Sequence, residues 1–305
     1  MTKRHTNKQV ETWRRDGGSL IQNLLSPEDV VACHKDMASF YAGRGQGKGV
    51  GQAVNLKKEG QIGIISGRQF KNFDDMPFDC SPALNLLALH PSVIALARDA
   101  LGTQDVHLYQ SHAWAKFTGE TDYDQHFHCD YKNHTLTVPS EEEKRRTINI
   151  MIYLTDVTDS LGALHYVSKP ESDSLVGIDD EMFPDEKYQH ALKAFERSSA
   201  APAGSAFAYG IDVYHRGTNL TEPNGYRYTL TASFKASGND MIGWSAWPVT
   251  FLKRWDLIFD NATPDQLYCL GVPRPGDTFW TEKTLRQTKA RWPNWDNTAY
   301  VTALR

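Results

Sequence analysis

Cysteine is scarce in this 305-residue chain. There are four (Cys33, Cys80, Cys129 and Cys269), far apart and without a C-x-x-C pair. That spacing excludes a paired-cysteine zinc site and a dense disulfide framework, and it predicts a reducing, cytoplasmic setting. The opening MTKRHTNKQVETWRRDGG lacks the apolar run that a secretory signal needs. Nowhere do about eighteen apolar residues run together, so no membrane-spanning helix is expected. Basic residues come only in short runs such as EEKRR, in a chain of formal net charge −4. A nucleic acid or polyphosphate therefore gains no bulk attraction, and a small-molecule partner is expected.

What is present describes a folded chain. Hydrophobic residues make up 40% and charged residues 23%, too apolar for a disordered chain and too polar for a membrane protein. In LLSPEDVVACHKDMASFYAG, Ser26 reads as an N-cap, Pro27 as the first helical residue and Gly43 as the stop. A second helical region is predicted over about 81–101, restarted at Pro91 and closed by Gly102. Between them, GRGQGKGVGQ matches neither phosphate-loop pattern and reads as a mobile loop. From residue 105 short strands follow: DVHLYQSHAWAKF, TINIMIYLTDV, GALHYV, SAFAYGI, DVYHRG and YRYTLTASFKA. An insertion over 171–200, with a helical PDEKYQHALKAFERSS, is expected to cover a barrel mouth. The expected organisation is a single domain over 1–305: a helical region 1–104, a β core 105–236 and a helix/loop tail 237–305. The fold class is mainly β with flanking α-helices.

The chemistry concentrates in DQHFHCDYKNH, residues 124–134. His128 and Asp130 are two apart, so on an extended strand both side chains leave one face, whereas Cys129 leaves the other. Two imidazoles and one carboxylate suit non-haem iron(II), because they leave positions open for a cosubstrate and dioxygen. His215, in GIDVYHRGTN, is the candidate third ligand; His126 stays open as an alternative to His128. Arg227 and Thr229 follow as R-x-T on a strand. Charge bookkeeping explains the arginine: iron(II) and Asp130 leave one positive charge, 2-oxoglutarate brings two negative charges, and Arg227 cancels the excess. An unpaired buried charge costs several kcal/mol, and a guanidinium fork holds a carboxylate bidentately.

These residues resemble the iron(II)/2-oxoglutarate-dependent oxygenases of the phytanoyl-CoA dioxygenase-like family, over about 105–236. HFHCD is similar to the family's H-x-D segment, and YHRGTN followed by YRYTL to its distal histidine and arginine. TDSLGALHYVSKPE is similar to its conserved turn, with SKPE where the family has PGSH. The resemblance implies a double-stranded β-helix (jelly-roll, cupin-like) core, with Fe(II), 2-oxoglutarate and O2 as cofactor and cosubstrates. It implies His128, Asp130 and His215 as metal ligands, and Arg227, Thr229 and Lys116 towards 2-oxoglutarate. It also implies oxidation, by default hydroxylation, of an unactivated C–H with release of succinate and CO2; desaturation, epimerisation and cyclisation share the same ligands. Halogenating relatives carry a small residue in place of the carboxylate, so Asp130 argues against halogenation.

Other positions are candidates by placement. Asn149 and Met151 alternate with Ile150 and Ile152 and are expected to face the cosubstrate. His126, Tyr131, Lys132 and His134 are expected at the substrate or in a lid. Arg68, Phe70 and Lys71, with Trp244 and Trp247, are pocket candidates. His112 is expected to pack or hydrogen-bond inside the barrel, and His165 and His190 to be structural or solvent-facing. A cupin-like metal-binding or sensing protein is the rival reading, but it has no need of Arg227. Zinc hydrolysis lacks an obvious general base beside the ligands.

Overall fold

Reciprocal capping starts both N-terminal helices. Thr6 and Gln9 form a capping box on α1 (Asn7–Asp16), which ends at Gly17 with φ 73°. After β1 (Gly18–Ile21), Ser26 caps α2 (Pro27–Phe40) as the sequence predicts, with Asp29 closing the capping box, and the helix ends at Phe40, ahead of the expected stop at Gly43. The computed structural model describes residues 3–43, 72–119, 124–140, 142–176, 184–244 and 253–304. Most of the GRGQGKGVGQ stretch, together with Arg68, Phe70, Lys71 and Trp247, lies outside the described residues.

The second helical region is two helices, α3 (Pro82–Leu87) and α4 (Pro91–Leu101), preceded by β2 (Phe73–Asp75). By length and composition Pro82–Leu101 could cross a membrane, but it is broken ahead of Pro91 and two-thirds buried inside the protein. Seven further strands follow: β3 (Val106–Phe117), β4 (Thr147–Tyr153), β5 (His165–Tyr166), β6 (Arg197–Ser198), β7 (Ala206–Tyr209), β8 (His215–Arg216) and β9 (Tyr226–Ala236). They build a major antiparallel sheet in the order β1-β7-β4-β9-β3-β2 and a minor one in the order β6-β5-β8. A bridge between His128 and His215 extends the minor sheet by one segment. The fold is a double-stranded β-helix with flanking helices.

The two faces of the major sheet differ in chemistry. Ile148, Ile150, Ile152, Leu230, Ala232 and Phe234 pack with Met37, Leu84, Leu87, Ile94 and Leu101 of the helices in the main core. The opposite face of β9 carries Arg227, Thr229, Thr231, Ser233 and Lys235, all buried. A row of buried polar groups is unfavourable unless each finds a partner. This face is therefore built to hold something polar.

Among the described residues of the insertion, α6 (Lys169–Val176) and α7 (Glu186–Ala194) lie against the outer face of the minor sheet. Leu192 packs with Phe127 and Tyr214, which alternate with His128 and His215, and Gln189 bonds both the N–H and the carbonyl of Phe127. The physical reason is apolar: Phe127, Val167 and Tyr214 leave a hydrophobic outer face that needs cover. The tail folds as α8 (Trp255–Phe259), α9 (Pro264–Cys269), α10 (Glu282–Arg291) and α11 (Thr298–Thr302), after the short α5 (Tyr131–His134) earlier in the chain. Trp280, Trp295 and Tyr300 anchor this tail in the main core. None of the four cysteines is in a disulfide among the described residues, and burial pushes the thiols of Cys33, Cys80 and Cys269 up to about 12, leaving them unreactive.

Candidate metal centre

His128, Asp130 and His215 converge on the barrel interior. One ligand atom from each lies within 4.8 Å of the others. His128 Nε2 is 3.7 Å from one Asp130 oxygen and His215 Nε2 is 3.4 Å from the other. The antiparallel bridge sets the two imidazoles side by side, with ring centroids 4.6 Å apart. Each ring is fixed from behind: His128 Nδ1 donates to the carbonyl of His126 and His215 Nδ1 to that of Val213, both at 2.9 Å. A donating Nδ1–H places the lone pair on Nε2, facing the other ligands. Burial, reinforced by the neighbouring His215, pushes His128 down to about 4, so it is neutral near pH 7. Burial opposes charge on Asp130, but His215 and His128 outweigh it and hold the carboxyl below its usual range. Two imidazoles and one carboxylate form a donor set that can hold iron(II).

His126 is not in this group; it contributes its backbone carbonyl. The alternation that decides this also buries Cys129 and Phe127 on the far side of the segment. Tyr131 is buried at the start of α5, Lys132 is exposed, and His134 Nδ1 shares a hydrogen bond with Tyr109 Oη at 2.5 Å. Trp244 packs on His107 and beneath Lys235 Nζ.

Further along the same interior face, Lys116 pairs in register with Arg227, and Trp114 and Tyr153 with Thr229. Lys116 and Arg227 are both buried. Arg227 Nη1 donates to the Gly162 carbonyl, while its Nε, the Thr229 hydroxyl and Asn149 Oδ1 are buried with no partner among the described residues. Burial lowers Arg227 to about 10, which still leaves it cationic at neutral pH. A buried cation beside an unsatisfied hydroxyl fits a carboxylate-bearing cosubstrate. Met151 pairs with Thr231 and Asn149 with Ser233, so both belong to this face.

A family model described as phytanoyl-CoA dioxygenase (PhyH) matches residues 13–223, well over half of the chain. The chain belongs to this family. It is a non-haem iron(II)/2-oxoglutarate-dependent oxygenase, with iron as its metal and 2-oxoglutarate as its cosubstrate. A search of curated proteins gave no match. Among solved structures, EctD from S. alaskensis with 2-oxoglutarate and 5-hydroxyectoine is 18% identical with a TM-score of 0.58, covering 83% of this chain and 84% of that one. The carbocyclase SnoK from nogalamycin biosynthesis is 20% identical, TM-score 0.54, covering 76% and 84%. The epimerase SnoN, solved with Fe3+, α-ketoglutarate and nogalamycin RO, is 16% identical, TM-score 0.53, covering 75% and 83%. These likenesses establish the fold of this phytanoyl-CoA dioxygenase family member, while the relatives themselves carry out different reactions.

Two wall residues escaped sequence reasoning. His112 Nδ1 bonds the Asp75 carboxylate, and its ring lies 4.4 Å from that of Phe73, which meets Trp114 edge-on. His112 pairs with Thr231 and so shares the interior face; its Nε2 has no partner among the described residues. Burial opposes charge on Asp75, but the hydrogen bond and charge of His112 together with Lys253 outweigh it and lower the carboxyl. Only the β2–β3 pairing brings Asp75 and Phe73 here, and β2 is three residues long with no alternating pattern to announce it.

Proposed function

We propose that this oxygenase hydroxylates an unactivated C–H of a small molecule, with iron held by His128, Asp130 and His215 and the distal carboxylate of 2-oxoglutarate held by Arg227 and Thr229. The observation that carries the reading is the convergence of the three ligand atoms on the same buried face as an arginine whose Nε has no partner among the described residues. Bound iron and 2-oxoglutarate supply the oxidising chemistry, yielding succinate and CO2. The residues orient and exclude water. The carbonyls of His126 and Val213 lock both imidazoles, and Arg227 fixes the far end of the cosubstrate with Lys116 opposite it in register. Asn149 and Met151 line the cosubstrate on the face they share with Ser233 and Thr231. Tyr131, Lys132 and His134 form the turn that follows Asp130, in which the buried Tyr131 anchors a lid and His126 and His134 face the substrate.

Adding iron(II) and 2-oxoglutarate without oxygen should produce the visible charge-transfer band of the chelate. If metal binds and the band never forms, the oxygenase site is wrongly drawn. The substrate itself would meet the wall made by Phe73, His112 and Trp114, where Asp75 fixes His112 so that Nε2 hydrogen-bonds a polar group next to the reacting C–H. His112→Phe keeps a ring there and removes the nitrogens. It should leave the chelate band in place and lower substrate-stimulated succinate release at least tenfold, a loss of about 1.4 kcal/mol. Unchanged release would remove His112 from the substrate wall.

A further inference from the structure

A second concavity lies beside the segment that carries Asp130. It has a volume of about 690 Å3 and is lined by Cys129 and Tyr131, the neighbours that flank Asp130, but by no proposed metal ligand and neither Arg227 nor Thr229. Its size is that of an ordinary small-molecule site. The floor is apolar, with Trp13, Ile211 and Ile242 at the surface of the protein interior.

The walls are cationic. Arg14 and Arg15 come from the end of α1, Arg145 and Arg146 from the turn before β4, and Lys169 from the start of α6; only Asp173 and Asp212 oppose them. The partners these cations hold bring the carboxylates at or beside the cleft to five, matching the five cations, so what distinguishes the cleft is which cation is left unpaired. Four of these cations have acidic partners: Arg14 with Glu143, Arg15 with Asp16, Arg145 with Glu142, and Lys169 with Asp173 and Asp212. Arg146 is half-buried and forms neither an ion pair nor a side-chain hydrogen bond with a described residue. A guanidinium partly withdrawn from water gains from an anion that takes its fork bidentately.

We propose that this cleft binds an amphiphile with an anionic head group, the head on Arg146 with Lys169 facing it and the apolar body over Trp13, Ile211 and Ile242. The site is separate from the iron and 2-oxoglutarate positions and does not depend on them.

Calorimetry on the full chain, loaded anaerobically with iron(II) and 2-oxoglutarate, tests this with decyl phosphate below its micelle concentration. Saturable one-to-one binding is expected, with 1-decanol and inorganic phosphate each at least tenfold weaker. Arg146→Glu should weaken decyl phosphate at least tenfold and leave the chelate band unchanged; Lys169→Glu should weaken it as well and decides the question if the first variant fails to fold. Absence of saturable binding overturns the proposal, as does binding that neither variant changes. If 1-decanol binds as tightly as decyl phosphate, the cleft is an apolar groove without an anion site and the proposal fails. Loss of the chelate band with decyl phosphate binding intact would count against the oxygenase site alone.

Discussion

Asp130→Ala should severely weaken iron(II) binding while leaving the apo chain folded. The carboxylate makes no cap bond to α5, and the ion pairs it does make are with the two ligand imidazoles. Removing it deletes one of three ligands and the only negative charge among them, so iron affinity should fall by about two orders of magnitude or more. Melting curves read this directly. At a hundredfold excess over its Kd, a metal that binds only the folded chain adds ~2.7 kcal/mol, worth roughly 5 °C for a chain of this size. The wild type should show that shift with iron(II), and Asp130→Ala should show none, with its apo melting temperature within about 2 °C of wild type. A variant that keeps the full shift would place the metal elsewhere.

Arg227→Ala should separate cosubstrate from metal. It leaves the distal carboxylate of 2-oxoglutarate buried without a counter-charge, a loss of about 3–5 kcal/mol and so at least a hundredfold in affinity. Iron binding should stay near wild type, because Arg227 is held by the Gly162 carbonyl and not by the ligand set. Equal losses of iron and 2-oxoglutarate would show that the arginine has another role. Gly162→Ala probes the same contact from the other side. Gly162 has φ 75°, and a Cβ there would sit 2.7 Å from Leu220 Cδ1 and 2.8 Å from the Thr218 carbonyl oxygen. The turn must move, and with it the carbonyl that orients Arg227. Weaker 2-oxoglutarate binding with unchanged iron affinity is expected, measured by titrating the chelate band.

Much of the site was legible because side-chain direction is a local property. A period of two predicts that His128 and Asp130 face one way and Cys129 the other, and the burial of Cys129 among Phe127 and Tyr131 agrees. The same period places Arg227 with Thr229, and Asn149 with Met151, on one face of the major sheet. The caps of α2 and the break at Pro91 were legible for the same reason, since capping involves residues three or four apart. Asp75 and Phe73 were not, because a three-residue strand carries no pattern and its partner is set by packing. The packing of the insertion's described helices was not legible, because it follows from the apolar outer face of the minor sheet, which exists only once that sheet has formed.

The amino-acid sequence by itself determined the donor types, their spacing, the cationic anchor and the alternation that aims them, all properties of residues near one another in the chain. Tertiary structure decided which histidine joins Asp130 and His215. His128, rather than His126, pairs across the minor sheet with His215, and backbone carbonyls at 2.9 Å turn both Nε2 atoms towards the carboxylate. It also decided that Asp75 would fix His112, and that five cations from three separate segments would share one cleft. Such meetings depend on strand register and helix packing between distant segments, which the local period of a sequence does not encode.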